Sequence, residues 1–404
     1  MNVYGGPLSA LWGGLNTLIA PYAIERMVGE GNKNAYLGLL LFFGLGIAVV
    51  TQPLAGSISD RFGSRFGRRR PFILGSAVVD SVFIIGFAVA FDFWFAFVAY
   101  AFLQIASNFG QAAYQALIPD FAPADERGIA SGAKQALEVF GSVVGLALAG
   151  VFLYFDFPAG AYAGLIILLI GGALLSWRYL DEEPVKAESI VKGIREANFK
   201  VFFYSVRAHP AFSRLLLARF IFFLGFVSLQ RFLRNFLQDA IGLEKPEAWA
   251  AAILVIATVV GIVGALLAGT LVDRLGRRRV AQWAAVIAAV FLTPVGIFPE
   301  LYLMLALGVV LGIAGGGFAA STWAFLADEV PKGESARFYG IANYATAGAG
   351  ALGAGLFGVM IDLLNGWKYI AGYRALILVA AALLLLCIPA LPKERSRVAS
   401  GDDE

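Results

Sequence analysis

Residues 52–73 read QPLAGSISDRFGSRFGRRRPFI. The stretch sets five arginines (Arg61, Arg65, Arg68, Arg69 and Arg70) and one acid, Asp60, between two apolar runs. Each run is as long as the ~20 residues a helix needs to cross the hydrocarbon core of a bilayer. Arginine and lysine resist translocation, so the loop also predicts which end of each span faces the cytoplasm. A shortened copy, GTLVDRLGRRRV at residues 269–280, lies between two later apolar runs. One charged hinge carries little architectural meaning. Two at matching places predict a duplicated membrane protein whose substrate site lies between its halves.

Composition agrees. The chain has 404 residues, 59% hydrophobic and only 15% charged, against about a quarter charged in soluble domains. A globular protein with so few charges lacks the polar side chains to coat itself, and a bilayer removes that need. The basic runs sit beside apolar spans with no basic domain around them, which argues against nucleic acid as a partner. One cysteine, Cys387, and one histidine, His209, leave no disulfide framework and no metal set, so neither metal nor cofactor is expected. No P-loop and no nucleophile–base pair appears, which argues against direct ATP drive and against an enzyme. The N-terminal MNVYGGPLSALWGG lacks the basic segment of a cleaved signal, so the first apolar run is expected to remain as a helix.

The apolar runs predict an all-α polytopic membrane protein with twelve transmembrane helices. Their expected positions are 8–28, 35–58, 71–91, 94–118, 128–153, 160–180, 211–237, 247–271, 280–298, 301–326, 338–363 and 372–391. Two pseudo-symmetric six-helix halves follow, 1–180 and 211–391, with a cytoplasmic linker at 181–210 and a tail at 392–404. Val185, Ile190 and Ile194 have helical spacing in the linker and predict a surface helix there. Loop lysines and arginines gather in 59–70, 119–127, 181–210, 272–279 and 327–337, while Lys33, Lys245 and Lys368 represent the opposite loops. That bias places both termini in the cytoplasm of a cell membrane. Trp94, Trp249 and Trp367 fall near span ends, as an aromatic belt would put them.

The halves match beyond the hinge. Asp60 and Asp273 are 213 residues apart, and Asp120 and Asp328, in PDFAPADERGIASGA and ADEVPKGESARFYGIAN, are 208 apart. Positive-inside anchoring explains the arginines but not an aspartate repeated at each helix end. A gate needs contacts that break on opening, biased by a few kcal/mol. Asp60, Arg61, Arg65, Arg68, Asp273 and Arg274 are candidates, with Asp120 and Arg127, and Asp328 and Arg337, as further pairs.

This layout resembles the major facilitator superfamily of secondary transporters. Gly56 to Arg61 followed by Gly67 to Arg70 is similar to that superfamily's signature loop, and the resemblance covers nearly the whole chain. The longer string Ser59-Asp60-Arg61, then Ser64 through Ile73, resembles the sucrose-carrier and glycoside-transporter branch. The resemblance implies alternating access, a small-molecule substrate, a proton or sodium co-substrate and a monomer in the bilayer.

Polar residues inside spans are costly and should face the protein interior. In span 4, Gln104, Asn108, Gln111 and Gln115 are spaced to share one face. Amides donate and accept, which suits a polyhydroxylated ligand, although such residues also hydrogen-bond between packed helices. The sucrose branch carries a titrating aspartate where this chain has Gln104, so its form of proton coupling does not transfer. Glu138, one turn from Lys134, is then the leading coupling carboxylate, with a structural ion pair as the competing reading. Asp80 in span 3 is the other buried acid. Gln230 and Arg231 in span 7 reach the expected site from the second half; Arg219 is read as snorkelling toward the cytoplasmic end. Trp323 and Asn343 are further substrate-binding candidates. The leading function is a sugar or glycoside transporter. The alternatives are an exporter or flippase of amphiphiles or organic anions, and a non-transporting sensor or assembly factor.

Overall fold

The computed structural model describes residues 2–123, 126–184, 209–329 and 335–393. The regular elements among them are helical, with no strand. The first span is divided. α1 (Gly5–Gly14) and α2 (Ala20–Val28) are joined by a turn of π-helix, Leu15–Ile19, that carries Asn16 and Thr17. Such turns displace side chains from the regular helical register.

Eleven further segments of the described residues are long and apolar enough to cross a membrane. They are formed by α3 (Lys33–Arg61), α4 (Arg70–Ala88), α5 (Phe93–Gln115) with the short α6 (Leu117–Phe121), α7 (Arg127–Tyr154) and α8 (Pro158–Tyr179). After the linker come α9 (Pro210–Phe236), continued by a π-turn at Leu237–Ile241, then α10 (Pro246–Leu275), α11 (Arg277–Ile297), α12 (Leu301–Glu329), α13 (Ser335–Trp367) and α14 (Ala371–Ala390). With the divided first span these account for the twelve spans expected. The linker surface helix falls on residues 185–208, outside the described residues.

Local chemistry explains the ends. Asp92 caps α5, its Oδ1 accepting from the backbone N–H of Trp94 and Phe95 at 2.7 and 3.0 Å. Within span 4 the regular helix is interrupted after Gln115, before α6, because the ring of Pro119 would strike the Gln115 carbonyl in an unbroken helix. Gly242 ends the π-turn after α9 at φ 80°, a conformation glycine adopts without strain.

The helices gather into two compact units. The larger comprises Met1–Phe199, Ser228–Val255 and Ala351–Leu376; the smaller comprises Lys200–Val227, Ile256–Gly350 and Ile377–Glu404. α9, α10, α13 and α14 each contribute to both. In the larger unit α1 lies against α7 at backbone distance. A Cβ at Gly141 would strike the Gly6 carbonyl, and one at Gly145 the Ala10 carbonyl. In the smaller unit Gly312 and Gly316 of α12 meet the carbonyls of Ala257 and Gly261 of α10 in the same way. Close backbone contact is how apolar helices associate where lipid removes the hydrophobic drive.

Candidate functional site

The hinge between α3 and α4 is organised by Arg69. Gly67 takes φ 94°, and any side chain there would run into Glu182. Glu182 in turn accepts the backbone N–H of Arg69 at 3.0 Å and of Arg70 at 2.8 Å. The buried Arg69 guanidinium then reaches Asp60 at 2.7 Å and Asp120 at 2.8 Å, and donates to Ser59 Oγ at 2.8 Å. One cation thus clamps the ends of α3 and α6. Asp120, which the sequence matches with Arg127, pairs with Arg69. Arg65 is exposed over the Phe66 ring at 4.6 Å, Arg61 and Arg68 are half-buried, and Asp273 and Arg274 are exposed at the end of α10. The side chains of Arg127, Asp328 and Arg337 lie outside the described residues.

Inside the larger unit the span-4 stripe divides. Gln104 and Asn108 are buried, Gln111 is half-buried and Gln115 is exposed, accepting from Gln52 at 3.3 Å. Gln104 Nε2 donates to the Tyr100 hydroxyl at 3.0 Å, and that hydroxyl donates to Asn16 Oδ1 at 2.9 Å. Asn108 donates to the Gln104 carbonyl at 2.7 Å. Beside them, Arg231 Nη1 donates to Thr17 Oγ1 at 3.3 Å, and no carboxylate pairs with Arg231 among the described residues. The π-turn therefore delivers Asn16 to Tyr100 and Thr17 to Arg231. The result is a cluster of amides, hydroxyls and one guanidinium. Gln230, next to Arg231 in α9, is half-buried.

The two candidate coupling acids have different surroundings. Glu138 pairs with Lys134 at 3.3 Å, one helical turn away, and both are half-buried. Asp80 is fully buried; Ser107 Oγ donates to its Oδ2 at 2.9 Å, and its Oδ1 has no hydrogen-bond partner among the described residues.

At the end of the larger unit opposite the hinge lies a network that the sequence analysis does not single out. The buried Lys33 ammonium donates to Glu25 at 2.9 Å and to Asp239 at 2.7 Å. Arg234 pairs with both Glu25 and Glu247. Asn34 donates to Asp362 at 2.7 Å and accepts from Asn235 at 2.9 Å, and the Tyr373 hydroxyl donates to Asp239 at 2.6 Å. α2 and α3 are thereby tied to the far ends of α9, α10, α13 and α14. Nearby, outside the spans, Lys245 pairs with Asp156, whose hydrogen bond holds the ammonium pKa above its ordinary value.

The smaller unit holds Arg219, Thr322, Trp323 and Thr346. Arg219 is only 2% exposed and does not snorkel. Its Nη1 donates to Thr322 Oγ1 at 2.6 Å and its Nη2 to Thr346 Oγ1 at 3.1 Å. The guanidinium carbon lies 4.5 Å from the centre of the Trp323 ring and 5.3 Å from that of Phe223. Asn343 is exposed one turn from Thr346. Asn16, Thr17, Tyr100 and the Lys33 network are passed over by sequence reasoning, which names Arg69 only as one of the hinge arginines and reads Arg219 as snorkelling.

Comparison with known proteins is consistent across sequence and structure. A family model described as MFS/sugar transport protein matches residues 7–391. A sucrose transport protein of Arabidopsis thaliana is 30% identical over 149 residues, which cover 32% of this chain and 28% of that protein, less than a third of its length. A cis,cis-muconate transport protein of Acinetobacter baylyi is 24% identical over 331 residues, covering 76% of this chain and 75% of that one. A D-xylose–proton symporter structure superposes with a TM-score of 0.73 at 17% identity, over 96% of this chain and 95% of that one. A nucleoside transporter structure does so with a TM-score of 0.72 at 16% identity, over 96% of each chain. At these identities the structural likeness establishes the fold alone.

Proposed function

The chain belongs to the MFS/sugar transport protein family, and on that premise we propose that it carries a sugar or glycoside across the membrane by alternating access. It is a multi-pass membrane transporter and not an enzyme. The cargo reading rests on one observation, the cluster of Asn16, Tyr100, Gln104 and Asn108 beside Thr17 and Arg231. Amides and hydroxyls that already satisfy one another can exchange those bonds for a ligand's hydroxyl groups without leaving a buried polar atom bare. The partial sequence likeness to a sucrose transport protein supports the same class. Gln111, Gln230, Trp323 and Asn343 extend the proposed binding set. Glu138 and Asp80 are the carboxylates we assign to proton coupling, and the basic hinge end is the one we assign to the cytoplasm.

Reconstituted protein should take up a labelled sugar from a panel of mono- and disaccharides, faster with an imposed pH gradient. Absence of uptake of every sugar would remove the cargo reading. A second reading, an organic anion, is favoured by Arg231 meeting no carboxylate among the described residues and by the relative named for muconate. Competition of sugar uptake by organic acids separates the two.

A further inference from the structure

We infer that the transported solute carries a single carboxylate, held by Arg219 in the smaller unit; the inference rests on the transport reading and narrows its cargo. Arg219 is one of the largest fully buried side chains in the protein. A cation inside a membrane protein normally finds an acid, because an ion taken out of water needs a counter-charge. Among the described residues Arg219 meets no acid; it finds two threonine hydroxyls and two aromatic rings.

The threonines are arranged to accept. The Thr322 hydroxyl lies 2.8 Å from the Phe318 carbonyl and the Thr346 hydroxyl 3.2 Å from the Ala342 carbonyl, so each spends its proton on its own helix. Each oxygen therefore turns a lone pair to the guanidinium. Two donors of Arg219 are satisfied in this way. The Nε–H is buried with no hydrogen-bond partner among the described residues. A guanidinium has five donors in a planar fork suited to a carboxylate. Neutral acceptors position that fork without discharging it.

The site is not sealed. Trp323 and Thr346 are half-buried, and Asn343 and Ala347 on the same helix as Thr346 are exposed. Asn343 is the third residue of the span Ile341–Trp367, and an exposed polar side chain there is open to water beside Thr346. The charge count selects the anion. At Arg219, one cation matches one carboxylate, whereas a phosphate ester, at about −1.5 to −2 near neutral pH, would leave excess charge among the aromatic walls there. The rings of Trp323 and Phe223 then offer faces to the carbon skeleton next to the carboxylate.

The test is thermal unfolding of the full-length protein in detergent at fixed ionic strength. The probes are glucose and glucuronate, which differ by one carboxylate, together with benzoate and hexanoate. A ligand that binds only the folded state raises the transition temperature as its concentration passes its Kd. Glucuronate should stabilise the wild type at concentrations where glucose does not. Arg219→Gln should fold with an unliganded transition at or above that of the wild type, because an uncompensated buried charge is gone. Its apparent affinity for glucuronate should fall by about tenfold or more. Arg219→Lys keeps the charge but not the fork and should fall between them; it carries the test if Arg219→Gln does not fold. Equal protection by glucose and glucuronate, or no protection by any of the carboxylates, would overturn the inference, as would unchanged affinity in the variants. In liposomes, a glucuronate shift without movement of any solute would remove the transport reading and leave the carboxylate site standing. Glucose moved at one rate by wild type and Arg219→Gln would do the reverse.

Discussion

Arg69 touches two carboxylates and a hydroxyl from a buried position, while Asp60 and Asp120 remain 62% and 39% exposed. Removing the cation leaves acids that water can still reach, so Arg69→Gln should cost about 1–3 kcal/mol, less than breaking a wholly buried pair. Arg69→Lys should recover only part, since one ammonium cannot reproduce the fork that spans both acids and Ser59. Thermal unfolding of both variants measures the difference, and equal stability of the Lys and wild-type proteins would show that the fork geometry is immaterial. The coupling acids separate by their partners. Glu138→Gln leaves Lys134 without its counter-ion, so its expected signature is lost acceleration by a pH gradient with exchange of substrate at equilibrium retained. Asp80→Asn keeps an acceptor for Ser107 and faces no cation among the described residues, so it should fold near wild-type stability. Uptake and counterflow measured side by side check both. If each variant keeps the full pH response, neither residue carries the proton.

At the scale of elements, the spans were legible and their polar partners largely were not. A run of about 20 apolar residues has few outcomes besides a membrane helix, and the expected starts at 71 and 211 fall one residue from α4 and α9. The duplicated hinge was readable because charge between apolar runs is rare. Arg69 was hidden among three consecutive arginines that the positive-inside rule treats alike. Asn16 and Thr17 were hidden because the π-turn shifts the register on which helical spacing depends. The network around Lys33 joins residues as far apart as Asn34 and Tyr373, a pairing that no local pattern encodes. Glycine spacing, in contrast, carries its meaning in the sequence. Gly141 lets α7 approach α1 until only hydrogen fits. Gly141→Leu should therefore cost about 1–3 kcal/mol by overpacking, read as a lower transition temperature and a smaller monodisperse fraction. Gly132→Leu on the same helix, which has open space around it, is the matched control and should behave as wild type.

For the whole molecule, the Lys33 network makes a mechanical claim. Lys33, Glu25, Asp239, Arg234, Glu247 and Asp362 bring two cations and four acids together in the larger unit, with Lys33, Arg234 and Glu247 buried. Segments from α2 and α3 meet segments from α9, α10, α13 and α14 there, so the two sequence halves are joined at that end by ionic contacts. Removing one partner from a buried ionic set leaves another charge uncompensated, at a cost of about 3–5 kcal/mol. A contact of that size is large enough to hold a conformational equilibrium to one side. Under the alternating access proposed above, this joint would part once per transport cycle. Cysteines placed at Lys33 and Asp239, in a protein whose buried Cys387 is replaced by serine, can be bridged by a short bifunctional thiol reagent with a reducible spacer. Bridging should abolish uptake and leave binding to the hinge-side conformation intact, and reductant should restore uptake. Because each single-cysteine protein loses part of the network, its uptake before bridging sets the reference, and the reagent should leave it unchanged. Full bridging with undiminished uptake would mean that this end never opens, and the transport cycle would then need a path that does not pass through it.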